Sequence, residues 1–331
     1  MRESGDQIEN SGSKGTALPE NAHSGQAADA ITHEPRHITV CICTYKRPKF
    51  LKRLLSELRD QNTGGRFTYS IVVADNDALE SAKEVVSEFA TTSTVPVVYC
   101  AEPVQNIPMA RNKAVEHASG EFIAFIDDDE FPTKRWLLTL FDACDRFGVD
   151  GAVGPVRRHF DERPPKWILK GRFYERPTYP TGLVIDWKKG RTNNVLLKRR
   201  SFPPGAQPFR SEFRSGEDQD FFRRMIETGC VFIWCNEAEV YEVVPPTRWK
   251  RTVILKRALL RGSVSIIHPT FGWQDVVKSI IAVPVYVAVL PLTCFFGHHR
   301  FMALAEKLFA HAGRILALLG INSIKEPYVT G

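Results

Sequence analysis

A chain of 331 residues, 43% hydrophobic and 25% charged, has the ordinary composition of a globular protein and enough length for one large domain or two modest ones, which sets aside a wholly disordered or fibrous chain. The net charge of +6 is mild. It suits anionic phosphate substrates or anionic lipid as well as nucleic acid, and does not by itself call for a nucleic-acid partner. The seven cysteines are scattered; Cys41 and Cys43 share a strand face, and no His or Cys cluster completes a zinc site, so reduced thiols that pack are expected.

Residues 1–36 are rich in Ser, Gly, Ala, Glu and Asn, with almost no large apolar side chain and no charged-then-apolar signal segment. Such a stretch cannot bury enough surface to offset its ordering entropy, so disorder is expected. Order begins at His37. Ile38–Cys43 reads as a buried strand, and Pro48 opens a helix whose Leu51, Leu54, Leu55 and Leu58 share a face. Strands at 70–74, 95–99 and 122–126 alternate with helices through Val85–Phe89, Met109–Ala118 and Trp136–Cys144. That rhythm predicts a mostly parallel sheet wrapped by helices, an α/β domain over 37–247. Residues 157–216, crowded with Pro, Gly and Arg, read as irregular loops. A helix follows Gly216, and short strands are expected at 231–234 and 239–243.

From 248 to 331 the character changes. Arg248, Lys250, Arg251, Lys256, Arg257 and Arg261 fall in a stretch without an acid. Ile280–Phe296 is uncharged and apolar but holds Pro284 and Pro291, which fits a re-entrant or in-plane segment better than a straight spanning helix. A terminal helix aligns Phe301, Leu304, Leu308, Ile315 and Leu319. The alternative is a buried hairpin packed on the catalytic domain. The basic stretch favours contact with anionic headgroups.

Ligands of parallel sheets bind outside the carboxyl ends of the strands, and three of those ends are polar: Thr44-Tyr45, Asp75-Asn76-Asp77 and Asp127-Asp128-Asp129-Glu130. Clustered carboxylates repel one another unless a cation neutralises them, which suits Mg²⁺ or Mn²⁺; an acidic turn capping the next helix is the alternative. Glu217 and Asp218 follow Gly216 at a helix start, where a carboxylate stays ionised and could serve as a general base or simply cap the helix. Arg111 could meet a base or a phosphate, or lie on the surface.

Taken in order, strand-Thr-Tyr, strand-Asp, Ala110-Arg111-Asn112, Phe125-Ile-Asp-Asp-Asp129, Thr192-Asn-Asn194 and Gly216-Glu-Asp218 resemble the family 2 inverting glycosyltransferases of the GT-A fold, over about residues 37–250. The resemblance is strongest to the branch that assembles bacterial exopolysaccharide repeats, typified by the succinoglycan glucosyltransferases. It implies that Tyr45 stacks on uracil and Thr44 contacts the nucleoside, with Asp75 and Arg111 at the base, Asp128 at the ribose and Asp127 supporting that turn. It implies Asp129 and Glu242 as ligands of the metal that bridges the diphosphate; Glu242 stands where the family often has His. Asp218 would be the base, with Glu217 second to it, and Asn194 would line the donor-sugar pocket. Arg248-Trp249 matches the Arg-Trp of processive synthases, on the sugar and acceptor side, but lacks their leading Gln, which argues against processive synthesis.

The implied reaction moves glucose or a related hexose from a UDP-sugar to a lipid-linked or growing saccharide, with inversion, at the cytoplasmic face of the inner membrane. A nucleotidyltransferase would need a Gly-rich phosphate loop, which Thr44-Tyr-Lys-Arg-Pro48 is not. A non-catalytic nucleotide-sugar-binding protein is the other alternative, and the presence of both acidic motifs argues against it.

Overall fold

The computed structural model describes residues 36–202, 207–213, 216–267 and 270–321. The stretch expected to be disordered lies outside these residues except for Arg36, which opens the first strand.

Strand β1 (Arg36–Thr44) is followed by α1 (Pro48–Leu58), β2 (Phe67–Asp75), α2 (Lys83–Thr92), β3 (Val97–Ala101), α3 (Ile107–His117), β4 (Phe122–Ile126), β5 (Glu130–Pro132) and α4 (Trp136–Phe147). Then come β6 (Gly151–Val153), β7 (Val156–His159), α5 (Lys166–Gly171), β8 (Asn194–Lys198), α6 (Glu217–Glu227), β9 (Phe232–Trp234) and β10 (Val240–Val243). The main sheet runs β3-β2-β1-β4-β8-β6-β9, and its first four strands are parallel. A second sheet, β5-β10-β7, stands beside it.

Alternation along β1 explains the layering. Ile38, Val40 and Ile42 face a core closed by Leu51, Leu54, Leu55 and Leu58 of α1 and by Trp136 and Phe141 of α4. Cys41 points the other way, into a second core with Ala110 and Ala114 of α3 and Phe221, Phe222 and Met225 of α6. The small side chains of α3 let it lie close on the sheet.

The region read as irregular holds more order than its composition suggested. Strand β8 sits inside the main sheet, antiparallel to both β4 and β6. Its apolar run is only Val195–Leu197, too short to stand out among prolines and arginines, and it is fixed by neighbours on either side rather than by its own propensity.

Among the described residues the C-terminal part holds three α-helices, α7 (Arg251–Val264), α8 (Trp273–Thr293) and α9 (His298–Leu318). Helices α7 and α9 cross at two glycines: a Cβ on Gly262 would meet the Ala310 carbonyl at 1.9 Å, and one on Gly313 the Leu259 carbonyl at 2.1 Å. The packed face of α9 is Met302, Ala305, Leu308 and Gly313; of the expected stripe, Leu308 belongs to it and Phe301 packs beside Met302, whereas Leu319 is exposed. Close helix approach selects small side chains over large ones. Helix α8 continues through Pro284 and Pro291 for 21 residues, about 32 Å. With the turn that follows, Trp273–Phe296 is long and apolar enough to cross a membrane, at a mean hydropathy of 2.2 in an 18-residue window that is 6% buried. It starts earlier than the apolar run, and it is not a buried hairpin.

Candidate active site

Strand register builds the rim. β1 pairs in parallel with β2 from Arg36↔Phe67 to Thr44↔Asp75, and with β4 from Ile38↔Phe122 to Cys41↔Phe125. Carried three residues on, the second pairing sets Thr44 level with Asp128, and the Thr44 hydroxyl donates to Asp128 Oδ2 at 2.7 Å. Past Tyr45 the chain turns through Lys46, in the left-handed region at φ 54, a conformation that costs a non-glycine residue free energy. That turn brings the Arg47 guanidinium onto Asp128 Oδ1 at 3.1 Å and Asp129 Oδ2 at 3.2 Å.

The second sheet delivers the other half. Glu242 of β10 lies opposite Glu130 of β5, and the Val243 amide donates to the Asp129 carbonyl at 2.9 Å. Glu242 is thereby held beside the acidic triplet. Arg248 bridges them: one Nη donates to Asp129 Oδ2 at 2.8 Å, the other to Glu242 Oε1 at 2.9 Å, and Arg176 pairs with the remaining Glu242 oxygen. Glu130, buried, accepts from the Asp127 amide at 3.1 Å and from Asn193 Nδ2 at 2.9 Å. The middle Asn of Thr-Asn-Asn thus braces the turn that carries the triplet. Burial and the neighbouring Asp129 push the Asp128 carboxyl up to about 6 against the pull of Arg47; burial and Asp127 raise Glu130 well above its usual range.

Helix α6 supplies the facing wall. Gly216, at φ 84, makes the left-handed turn into it, and Glu217 pairs with the buried Arg111, whose second Nη lies 4.0 Å from Asp127. Asp218 accepts from the Gln219 amide at 2.8 Å. Burial and the charge of Glu217 push the Asp218 carboxyl up to about 6 against the pull of Arg111.

These elements enclose a cavity of about 1100 Å³. Thr44, Tyr45, Arg47, Arg111, Asp127, Asp128, Asp129, Glu242 and Arg248 all line it, as do Gly216 and Gln219 on either side of the Glu217-Asp218 pair. Glu217 and Asp218 do not themselves line it, and three further residues from the sequence reading are placed elsewhere. Asp75 is buried and occupied by the Ala82 amide at 2.7 Å, the Asp77 amide and the Tyr99 hydroxyl, so it shapes the loop after β2. Asn194 is fully buried: it donates to the Pro155 and Ala238 carbonyls and accepts from Trp136 Nε1, which ties the two sheets together behind the cavity. Trp249 packs on Phe160 and donates to the Val244 carbonyl. Arg47 and Arg176 escaped the sequence reading. Arg47 directly follows the Thr-Tyr pair and could have been found there, whereas Arg176 is brought in from a loop that carries no sequence signal.

Among the described residues no three His, Cys, Asp or Glu side chains converge on one point. Mg²⁺ and Mn²⁺ do not need three, since they commonly take one or two carboxylates and complete their shell with water and phosphate oxygens. Asp129 and Glu242 already share one cationic centre, the Arg248 guanidinium, and they offer the hard oxygen donors such ions require.

A parallel sheet with acids at the carboxyl ends of its strands, completed by a small sheet that returns a further acid to them, defines the GT-A class of glycosyltransferases. The chain belongs to glycosyl transferase family 2, whose profile matches residues 39–212. The succinoglycan biosynthesis protein ExoM of Rhizobium meliloti (strain 1021) is 31% identical over 303 residues, 89% of this chain and 97% of that one. Chondroitin synthase of Escherichia coli is 25% identical over 248 residues, 65% of this chain but 36% of its own length. Among solved structures, the mannosyltransferase PcManGT from Pyrobaculum calidifontis, in complex with GDP-Man and Mn²⁺, superposes with a TM-score of 0.56 over 89% of each chain at 17% identity, which shows the shared fold.

Proposed function

We propose that this glycosyltransferase moves a hexose, glucose or a close relative, from a UDP-sugar to a lipid-linked saccharide with inversion, as a step in exopolysaccharide or cell-surface glycan assembly. The observation that carries the reading is the ring of charge at the carboxyl ends of β1 and β4, where Thr44, Arg47, Asp128 and Asp129 meet Glu242 and Arg248 at the head of one large cavity. Likeness to ExoM along nearly its whole length supports the kind of glycan.

Tyr45, half-exposed in the cavity wall, offers a ring face to the base, and Thr44 and Asp128 face the nucleoside. Arg47, Arg111 and Arg248 lie where they can meet the diphosphate. Asp129 and Glu242 would hold Mg²⁺ or Mn²⁺, which when bound neutralises charge on the departing diphosphate. Asp218 takes the proton from the acceptor hydroxyl, whose oxygen attacks the anomeric carbon opposite the diphosphate. One displacement inverts the configuration. Glu217, paired with Arg111, positions that guanidinium rather than moving a proton.

Association with the inner face of the membrane follows from α8. The helix lies alongside α9, since His311 of α9 meets both Ser279 and Tyr286, and α9 carries Arg300, Glu306, Lys307 and Arg314. Crossing the bilayer would drag those charges inward, at about 2.5–3.5 kcal/mol each. An in-plane helix avoids that cost.

Asp129→Asn tests the donor site. The substitution should weaken Mn²⁺-dependent UDP binding, read by calorimetry, and abolish transfer from UDP-glucose. Full activity of the mutant, or of the wild type in chelator, would end the metal assignment.

A further inference from the structure

The cavity exceeds what a nucleotide sugar fills. Its volume of about 1100 Å³ lies beyond the roughly 300–1,000 Å³ of small-molecule sites. Past Arg176 and Arg248 it continues along one face of α7, where Ile254, Arg257, Leu260, Arg261 and Val264 form the wall, and it ends at Ser265 and Ile267. The basic stretch that in sequence looked like a headgroup-facing surface is therefore divided. Lys250, Arg251 and Lys256 are exposed without lining the cavity, whereas the buried Arg248 and the exposed Arg257 and Arg261 are among the residues that line it.

Arg257 differs from the other guanidinium groups there. Arg248 is matched by Asp129 and Glu242, Arg176 by Glu242, and Arg261 by Glu306, but Arg257 makes no ion pair among the described residues. Partial enclosure of this otherwise exposed side chain and the charge of Arg248, opposed by Glu242, depress its pKa below the usual value. A cation beside like charges, with Glu242 acting on it but no ion pair of its own, gains from an anion. Ile254, Leu260 and Val264 stand beside it in the wall, next to the Arg261–Glu306 pair, so an anion that carries an apolar chain fits this arm. The far end leads to α8: Arg314 donates to Ser265 Oγ and to Ser279 Oγ of α8, each at 2.9 Å, and Ile267 is 66% exposed where the cavity ends.

The geometry points to this arm, with Arg257 as its anion-binding group, as the seat of the diphosphate that joins the acceptor saccharide to its lipid, the lipid leaving past Ile267 along α8. The inference rests on the lipid-linked acceptor proposed above and gives it an address. It assigns the apolar wall of α7 to the first carbons of the lipid, and it explains why a nucleotide-sugar cavity opens beside an exposed apolar helix.

The probe is farnesyl diphosphate, added to the full-length protein in detergent with its nucleotide site saturated by UDP. Saturable binding is expected, with farnesol and inorganic pyrophosphate each at least about tenfold weaker. Arg257→Ala should lose farnesyl diphosphate at least about tenfold and Arg257→Lys less, while the UDP affinity of both variants stays at the wild-type value. Wild-type binding by Arg257→Ala, displacement of the probe by UDP, or a parallel loss of UDP affinity would each overturn the assignment. A second measurement separates the two readings: transfer of label from UDP-glucose into extractable membrane lipid. Equal labelling by wild type and Arg257→Ala removes the subsite and leaves the lipid acceptor standing. No lipid labelling by a wild type that still hydrolyses UDP-glucose removes the lipid acceptor itself.

Discussion

Every residue of Phe122–Ile126 in β4 is at most 2% exposed, whereas Ile280, Ile281, Val285 and Val287 of α8, equally apolar, are 50–59% exposed. The polar residues are reversed as well. Asp128, Asp129, Glu217 and Arg248 are buried at the rim, while α8 buries Ser279 alone among its described residues. Buried charge and exposed apolar surface both run against the usual partition, and both cost free energy in water unless something completes them. At the rim the completion is internal, carboxylate against guanidinium, and it can be exchanged for a ligand of the same charge pattern. Along α8 nothing among the described residues completes the surface, and in the membrane association proposed above the complement is external. One region is built to exchange partners, the other to stay with one.

The sharpest break in that comparison is at α6. Asp218→Asn should lower kcat at least about a hundredfold and leave UDP affinity in place, because a base acts only in the transition state. With the Asp218 carboxyl raised to about 6, kcat/KM of the wild type should fall about tenfold per pH unit as pH drops below that value, since the protonated acid cannot accept. Glu217→Gln should instead weaken donor binding through Arg111. A turnover loss confined to Glu217→Gln would exchange the two roles.

Next in size is the exposed face of α8. The wild type should sediment with membranes and resist high-salt washing, because apolar insertion is not screened. Replacing Ile280, Ile281, Val287 and Phe295 by Gln removes apolar area worth roughly 1.5–3 kcal/mol per fully buried side chain, and should lower membrane partition more than about tenfold with UDP binding unchanged. Deleting residues from about 270 onward is a poorer test. It would remove α9 from α7, and Met302 from its cluster with Ile168 and Ile254. A wild type that is soluble and monodisperse without detergent would show that α8 needs no membrane.

The smallest effect expected is at the α7–α9 crossing. Gly313→Ala sets a methyl against the Leu259 carbonyl at 2.1 Å and should destabilise by about 1–3 kcal/mol, seen as a lowered Tm. If α7 forms the acceptor wall, the same variant should raise the acceptor KM more than that of the donor. Equal changes would mean that the crossing only holds the helices together.

The alternation of strands and helices, the polar strand ends and the order of the motifs are local, so the sequence by itself determined the parallel half of the sheet, the rim and the family. β1, α1 and β4 follow from runs whose period and punctuation leave one solution. Tertiary structure decided what depends on contacts between distant segments. It inserted β8 between β4 and β6, spent Asn194 and Asp75 on tying the frame instead of lining the cavity, and set Arg176 beside Glu242. It also brought part of one basic stretch to the cavity wall, and set Ala305 and Gly313 beside Met302 and Leu308 in the packed face of α9. Charge and hydrophobicity are properties of a residue, but their use is a property of what packs opposite, and a buried carboxylate or an unpaired guanidinium exists only once the chain has closed around it.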